Sequence, residues 1–89
     1  VEARSFAFNA WANYDNFARD AAYPAVIAEH LAIPATVPVH NHRIPVLEGG
    51  AVDSNGQGTV LVTEECLLSD AKQVRNPGWN AIDYETVFE

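Results

Sequence analysis

The chain has little of several things on which small proteins rely. One cysteine in 89 residues cannot close an internal disulfide, so a disulfide-stapled scaffold is excluded. No apolar run nears the ~20 residues of a membrane span, and no basic, apolar leader opens the sequence. Neither membrane association nor secretion is expected, and the expected location is cytoplasmic. Cations are also scarce: five Lys and Arg stand against twelve Asp and Glu, a net charge of -7. The excess is lopsided. Residues 1–47 carry four acids against three arginines, whereas residues 48–89 carry eight acids against Lys72 and Arg75. That second half would repel a phosphate backbone, so no nucleic-acid partner is expected, and a cationic ligand is easier to accommodate.

The remaining composition, 48% hydrophobic and 19% charged, is that of a folded protein rather than a disordered one. A chain of this length buries only ~60–65% of its unfolded surface, which makes a thin core. It lacks an initiator methionine and stops in a segment that reads as a helix in progress. A section of a longer protein is therefore expected, with the rest of the parent chain as its partner.

The order of elements reads as α/β. Ser5–Phe8 has the character of a short strand, and Trp11–Asp15 is a polar turn with Asp15 placed to cap a helix. Phe17, Ala21, Pro24, Ala28 and Leu31 then repeat at helical spacing, with a kink or a restart predicted at Pro24. Two extended stretches follow, Ala35–His40 and Arg43–Leu47, and their prolines restrict both to edges or strand starts. Ala51–Ser54 and Thr59–Thr63 flank Asn55–Gly56, the strongest hairpin signal in the chain. Residues 64–69 turn away and 70–77 form a polar loop. Asn80 with Asp83 forms a capping box opening a last helix through Ile82, Val87 and Phe88. So few helices against several short strands leave sheet edges in need of neighbours.

Four groups of residues invite a chemical reading. Cys66 follows Glu64 and Glu65, whose charge disfavours a thiolate, and precedes Leu67 and Leu68; a buried structural cysteine beside the core is expected. Residues 53–64 place Asp53, Asn55, Gly58 and Glu64 at calcium-loop positions, but the neutral Gln57 and the flanking strand pattern favour a plain hairpin. His40 and His42 read as plain surface residues of a loop between strands; the alternative is that, with Glu48 or Asp53, they supply three donors for a transition metal. Glu48 closes the apolar run 44–47 and precedes Gly49 and Gly50. Two roles stand open for it: holding a guanidinium by charge-assisted hydrogen bonds, or bonding the glycine turn.

Leu47–Glu48–Gly49–Gly50, Asn55–Gly56–Gln57–Gly58–Thr59 and Thr63–Glu64–Glu65–Cys66–Leu67–Leu68 together resemble the agmatine deiminases and their bacterial peptidylarginine deiminase relatives. Phe8–Asn9–Ala10–Trp11, Ile33–Pro34 and Arg75–Asn76–Pro77 extend the resemblance over nearly the whole chain. It implies a five-bladed α/β propeller of ββαβ modules, with residues 1–34 ending one module and 35–89 beginning the next. It implies hydrolysis of a guanidinium group, on agmatine or on peptidyl-arginine, through a cysteine thiouronium intermediate, with no cofactor and with a homodimer as one possible parent assembly. By resemblance Glu48 contacts substrate, Trp11 and Asn9 lie near the pocket entrance, and Gly49 and Gly50 shape the site. Cys66, Asn55, Gly56 and Gly58 are structural. The family's early Arg-Asp-Thr-Gly-Pro run, its Gly-His-x-Asp-Asn segment and its nucleophilic cysteine do not occur in these residues, so the chain alone is expected to be inactive. Arg19–Asp20 is followed by Ala21–Ala22 and is no substitute for the first. Asp53 and Asn55 stand where many members read histidine and aspartate, which leaves the substrate open. The alternatives are a non-catalytic structural or binding module and a small metal-binding domain.

Overall fold

A computed structural model describes residues 2–89. The chain opens with β1 (Ala3–Arg4), which pairs in parallel with β2 (Ala35–Thr36). Between them runs α1 (Ala18–Leu31), a β-α-β crossover of the kind that parallel pairing requires. The ladder continues beyond the regular strands. Ser5 N–H donates to the Thr36 carbonyl at 2.8 Å, Ala7 N–H to that of Pro45 at 2.9 Å, and Leu47 N–H to that of Ala7 at 3.2 Å. Alternate residues 3, 5 and 7 thus bond along one edge, first to 34–36 and then, through a parallel bridge of Ala7 with Val46, to 45–47. The intervening residues loop out and reverse at His40–Arg43, where Asn41 and His42 adopt φ of 50° and 62°. The two extended stretches predicted at 35–40 and 43–47 are therefore one interrupted partner strand.

Two other expectations shift. Helix α1 starts after Phe17 rather than Asp15, and no side chain caps it. The Phe17 ring packs edge-on against Phe8 with centroids 6.2 Å apart, and this aromatic contact, not a cap, fixes the entry of the helix. Pro24 lies inside a continuous α1, and the helix ends on left-handed Ala32, whose N–H bonds back to Ala28 and Glu29.

β3 (Val52–Ser54) and β4 (Val60–Val62) form the predicted antiparallel hairpin. Its loop is five residues long, because the Asn55 side chain accepts from the N–H groups of Gln57 at 2.8 Å and Thr59 at 3.1 Å. Gly56 and Gly58 take positive φ there, which is what these positions require of glycine. A short helix, α2 (Glu64–Leu67), and the closing α3 (Ala81–Phe88) follow. The capping box at Asn80 and Asp83 forms with both reciprocal bonds. The core lies between the end of the ladder, α2 and α3, built from Ala51, Leu67, Trp79, Tyr84 and Val87 with Phe6 and Leu47 packed against it.

Candidate functional site

Parallel strands end on the same side, and in α/β proteins the crevice beyond their carboxyl ends is where ligands bind. Here the Ala7–Val46 bridge sets two turns side by side. One is Phe8–Asn9–Ala10–Trp11 and the other is Leu47–Glu48–Gly49–Gly50. The substrate-facing residues expected from sequence thus leave the same end of one ladder, although some forty positions separate them.

The first turn is strained. Ala10, Trp11 and Ala12 have φ of 52°, 62° and 53° in succession, a left-handed stretch costing ~1–2 kcal/mol per residue. Asn9 holds it closed, its Oδ1 accepting from Ala12 N–H at 2.9 Å. Trp11 stands 46% exposed, its ring braced edge-on by Phe8 and Tyr14 at 5.5 and 6.3 Å between centroids. The second turn, Gly49–Ala51, lines an open cleft of about 330 Å³ with Val52, Asp53, Leu61 and Thr63. A Cβ at Gly49 or Gly50 would meet nothing within 4 Å, and neither glycine has a positive φ. Nothing within the described residues demands glycine at either position.

Glu48 already holds one guanidinium. Its Oε1 accepts from Arg75 Nε at 2.9 Å, with side-chain exposures of 9% and 5%. Arg75 Nη1 turns elsewhere, donating to the Gln73 carbonyl at 2.7 Å. Gln73 presents that carbonyl from a left-handed φ of 49°. Among the described residues no second donor reaches the Glu48 carboxylate, and Oε2 is not among the sealed, unpaired polar atoms.

The neighbouring Asn76 acts as a surrogate strand. Its Oδ1 accepts from Val46 N–H at 2.9 Å, and its Nδ2 donates to the Val46 carbonyl at 2.9 Å and to Tyr84 Oη at 3.0 Å. Tyr84 in turn donates to the Leu67 carbonyl at 2.8 Å, and burial pushes its phenol pKa up despite the Asn76 bond. Arg75–Asn76–Pro77 and Leu47–Glu48–Gly49–Gly50 are therefore one structural unit. Sequence reading took both motifs but missed their contact; the available signal was a lone arginine in the acidic half, with no local partner to explain it.

The other candidates lie apart. His40 Nε2 meets Asp83 Oδ1 at 2.8 Å, and its ring packs edge-on against Trp79. The bond from Asn80 N–H, then that from His40, holds the Asp83 carboxyl below its ordinary range. Asp53 accepts from Ser54 N–H within the hairpin. With Glu48 on Arg75, the metal alternative has its donors spent in separate places, and among the described residues no three His, Cys, Asp or Glu side chains gather for an ion. Cys66 is half-buried against the core rather than enclosed by it. Lys72 and Arg75 share its cleft with Glu65, so its surroundings are less anionic than the sequence suggests. Among the described residues no helix is long and apolar enough to cross a membrane.

The profile of the Porphyromonas-type peptidyl-arginine deiminases matches residues 1–89. A protein of Vibrio parahaemolyticus named "Putative agmatine deiminase" is 39% identical over 79 residues, covering 82% of this chain and 19% of its own length. Proteins of the same name from a Marinomonas species and from Streptomyces coelicolor are 36% and 40% identical, covering 98% and 96% of the chain. The chain spans 19–23% of the length of these three relatives. With a match over its full length, the chain belongs to the Porphyromonas-type peptidyl-arginine deiminase family.

Proposed function

We propose that this chain is a section of an enzyme that hydrolyses a guanidinium group, and that it supplies one wall of the substrate site. The observation that carries the reading is the juxtaposition of the Trp11 and Glu48 turns at the carboxyl end of one parallel ladder. Glu48 Oε2 contacts the substrate guanidinium, Trp11 flanks the entrance, and Asn9 holds the Trp11 turn. Gly49 and Gly50 leave space for close approach from outside these residues, since no internal contact accounts for them.

The chemistry runs through residues supplied by other parts of the parent. A cysteine thiolate attacks the guanidinium carbon, ammonia leaves with a proton delivered by a histidine, and an S-alkyl thiouronium remains bound to the enzyme. Water then adds to the same carbon and the thiolate departs, leaving the ureido product. This segment's share is to orient the cation for attack. Agmatine and peptidyl-arginine both present the group that Glu48 recognises. The parent folds as a five-bladed α/β propeller, and its remaining blades cover the outward apolar faces of α1 and of the β3–β4 hairpin. Val26, Leu31 and Leu61 on those faces are 56%, 58% and 68% exposed.

The test is ammonia release by the full-length parent with agmatine and with an arginine-containing peptide, before and after Glu48→Gln. Turnover of one substrate by the parent, lost in the variant, is expected. A parent inactive on both, or a Glu48→Gln variant with unchanged kcat/KM, contradicts the reading.

A further inference from the structure

We infer that Arg75 is the positioning residue for Glu48: it pins one carboxylate oxygen so that the other faces the substrate. The inference rests on Glu48 contacting a guanidinium substrate.

The geometry of the pair carries it. An arginine whose sole task is to neutralise a buried carboxylate gains most from a two-bond fork that occupies both oxygens. Arg75 does not make one. Nε goes to Glu48 Oε1 at 2.9 Å, while Nη1 is diverted to the Gln73 carbonyl at 2.7 Å, with the Gln73 side-chain oxygen at 3.5 Å. The diversion depends on a non-glycine residue held at positive φ, a conformation that persists only where its surroundings enforce it. Asn76 then fastens the next residue to both sides of the Val46 backbone, two positions before Glu48. The guanidinium plane is thereby fixed to the ladder that carries Glu48. A glutamate has three rotatable side-chain bonds; one directed bond to a fixed donor removes most of that freedom and leaves Oε2 to accept from a second cation. Arg75 touches no reacting atom on this account.

Steady-state kinetics of the full-length parent with agmatine test the inference, using Glu48→Gln, Arg75→Lys and the double variant. Lysine keeps the charge and the apolar stem but cannot serve Oε1 and the Gln73 carbonyl from one rigid plane. Arg75→Lys is expected to raise KM about tenfold with kcat within about threefold, and the double variant to bind no worse than Glu48→Gln alone. An unchanged KM in Arg75→Lys, or losses that multiply in the double variant, overturns the inference while leaving the role of Glu48 intact. An unchanged KM and kcat in Glu48→Gln overturns the underlying reading instead. A second measurement needs no variant to fold. The Arg75 Nε–H resonance of the wild-type parent, followed by selective ¹⁵N labelling, is expected to shift as methylguanidinium is titrated in. A resonance that stays fixed while other site signals move also overturns the inference.

Discussion

The molecule has two regions held by different means. Around Val46 and Glu48, polar groups are buried and paired: Glu48 with Arg75, Asn76 with the Val46 backbone, Tyr84 with Asn76 and Leu67. In α1 and the β3–β4 hairpin the reverse holds. Their backbones are well bonded, but Tyr23, Val26, Leu31 and Leu61 stand in the open at 56–68% exposure. Within α1 only Ala28 is buried. The first region carries its own reasons to be ordered, while the second has an apolar stripe that the described residues leave uncovered. The turn proposed to contact substrate is thus set on the self-sufficient part, and the apolar surfaces of α1 and the hairpin lie away from it.

Substitutions should separate the two regions. The largest loss is expected for Arg75→Ala, which leaves the Glu48 carboxylate buried without its partner and costs about 3–5 kcal/mol, measured by denaturant unfolding. Asn76→Ala comes next at about 2–3 kcal/mol, because both Val46 backbone groups and the Tyr84 hydroxyl lose a partner. A loss below 0.5 kcal/mol, on the order of a neutral surface change, would mean that the clamp around Val46 is ornamental.

Tyr84→Phe should cost about 1–2 kcal/mol and should also change the alkaline limb of stability. Burial raises the folded-state pKa of Tyr84 above its ordinary 10.0. The folded chain keeps the phenol proton where the unfolded chain releases it, so this contribution is fully present below about pH 10 and is lost as pH rises through the raised value. Unfolding curves of the wild type and the phenylalanine variant should therefore converge above pH 10 if Tyr84 accounts for that limb. The smallest effect is expected for Leu61→Lys in the 89-residue chain, within about 0.5 kcal/mol. In the full-length parent the same change should cost several times more if, as proposed, a neighbouring blade covers this face, because it would then bury a charge. Equal effects in the two settings would show that the hairpin face stays open in the parent.

Much of the local structure was legible in the sequence. The Asn80–Asp83 capping box, the hairpin around Asn55–Gly56 and the helical stripe to Leu31 are short-range features, each written within a few residues. Of the candidate site, Glu48 stands out in the sequence by its place between an apolar run and two glycines. What the sequence did not disclose depends on contacts between distant positions. Arg75 lies 27 residues from Glu48 and Asn76 lies 30 from Val46, and no periodicity links such pairs. The start of α1 was misplaced for a related reason: an aromatic contact between Phe8 and Phe17 outweighed a good capping residue at Asp15. His40 reads from sequence as a surface residue, or alternatively a metal donor, because its partner Asp83 lies 43 residues away.

The most direct measurement is a crystal structure of the full-length parent, with its nucleophilic cysteine replaced by alanine, bound to agmatine. The account predicts the agmatine guanidinium at ~2.7–3.2 Å from Glu48 Oε2, with Arg75 still on Oε1 and the Trp11 ring beside the ligand. A guanidinium bound away from Glu48, with that carboxylate engaged by Arg75 alone, would contradict it.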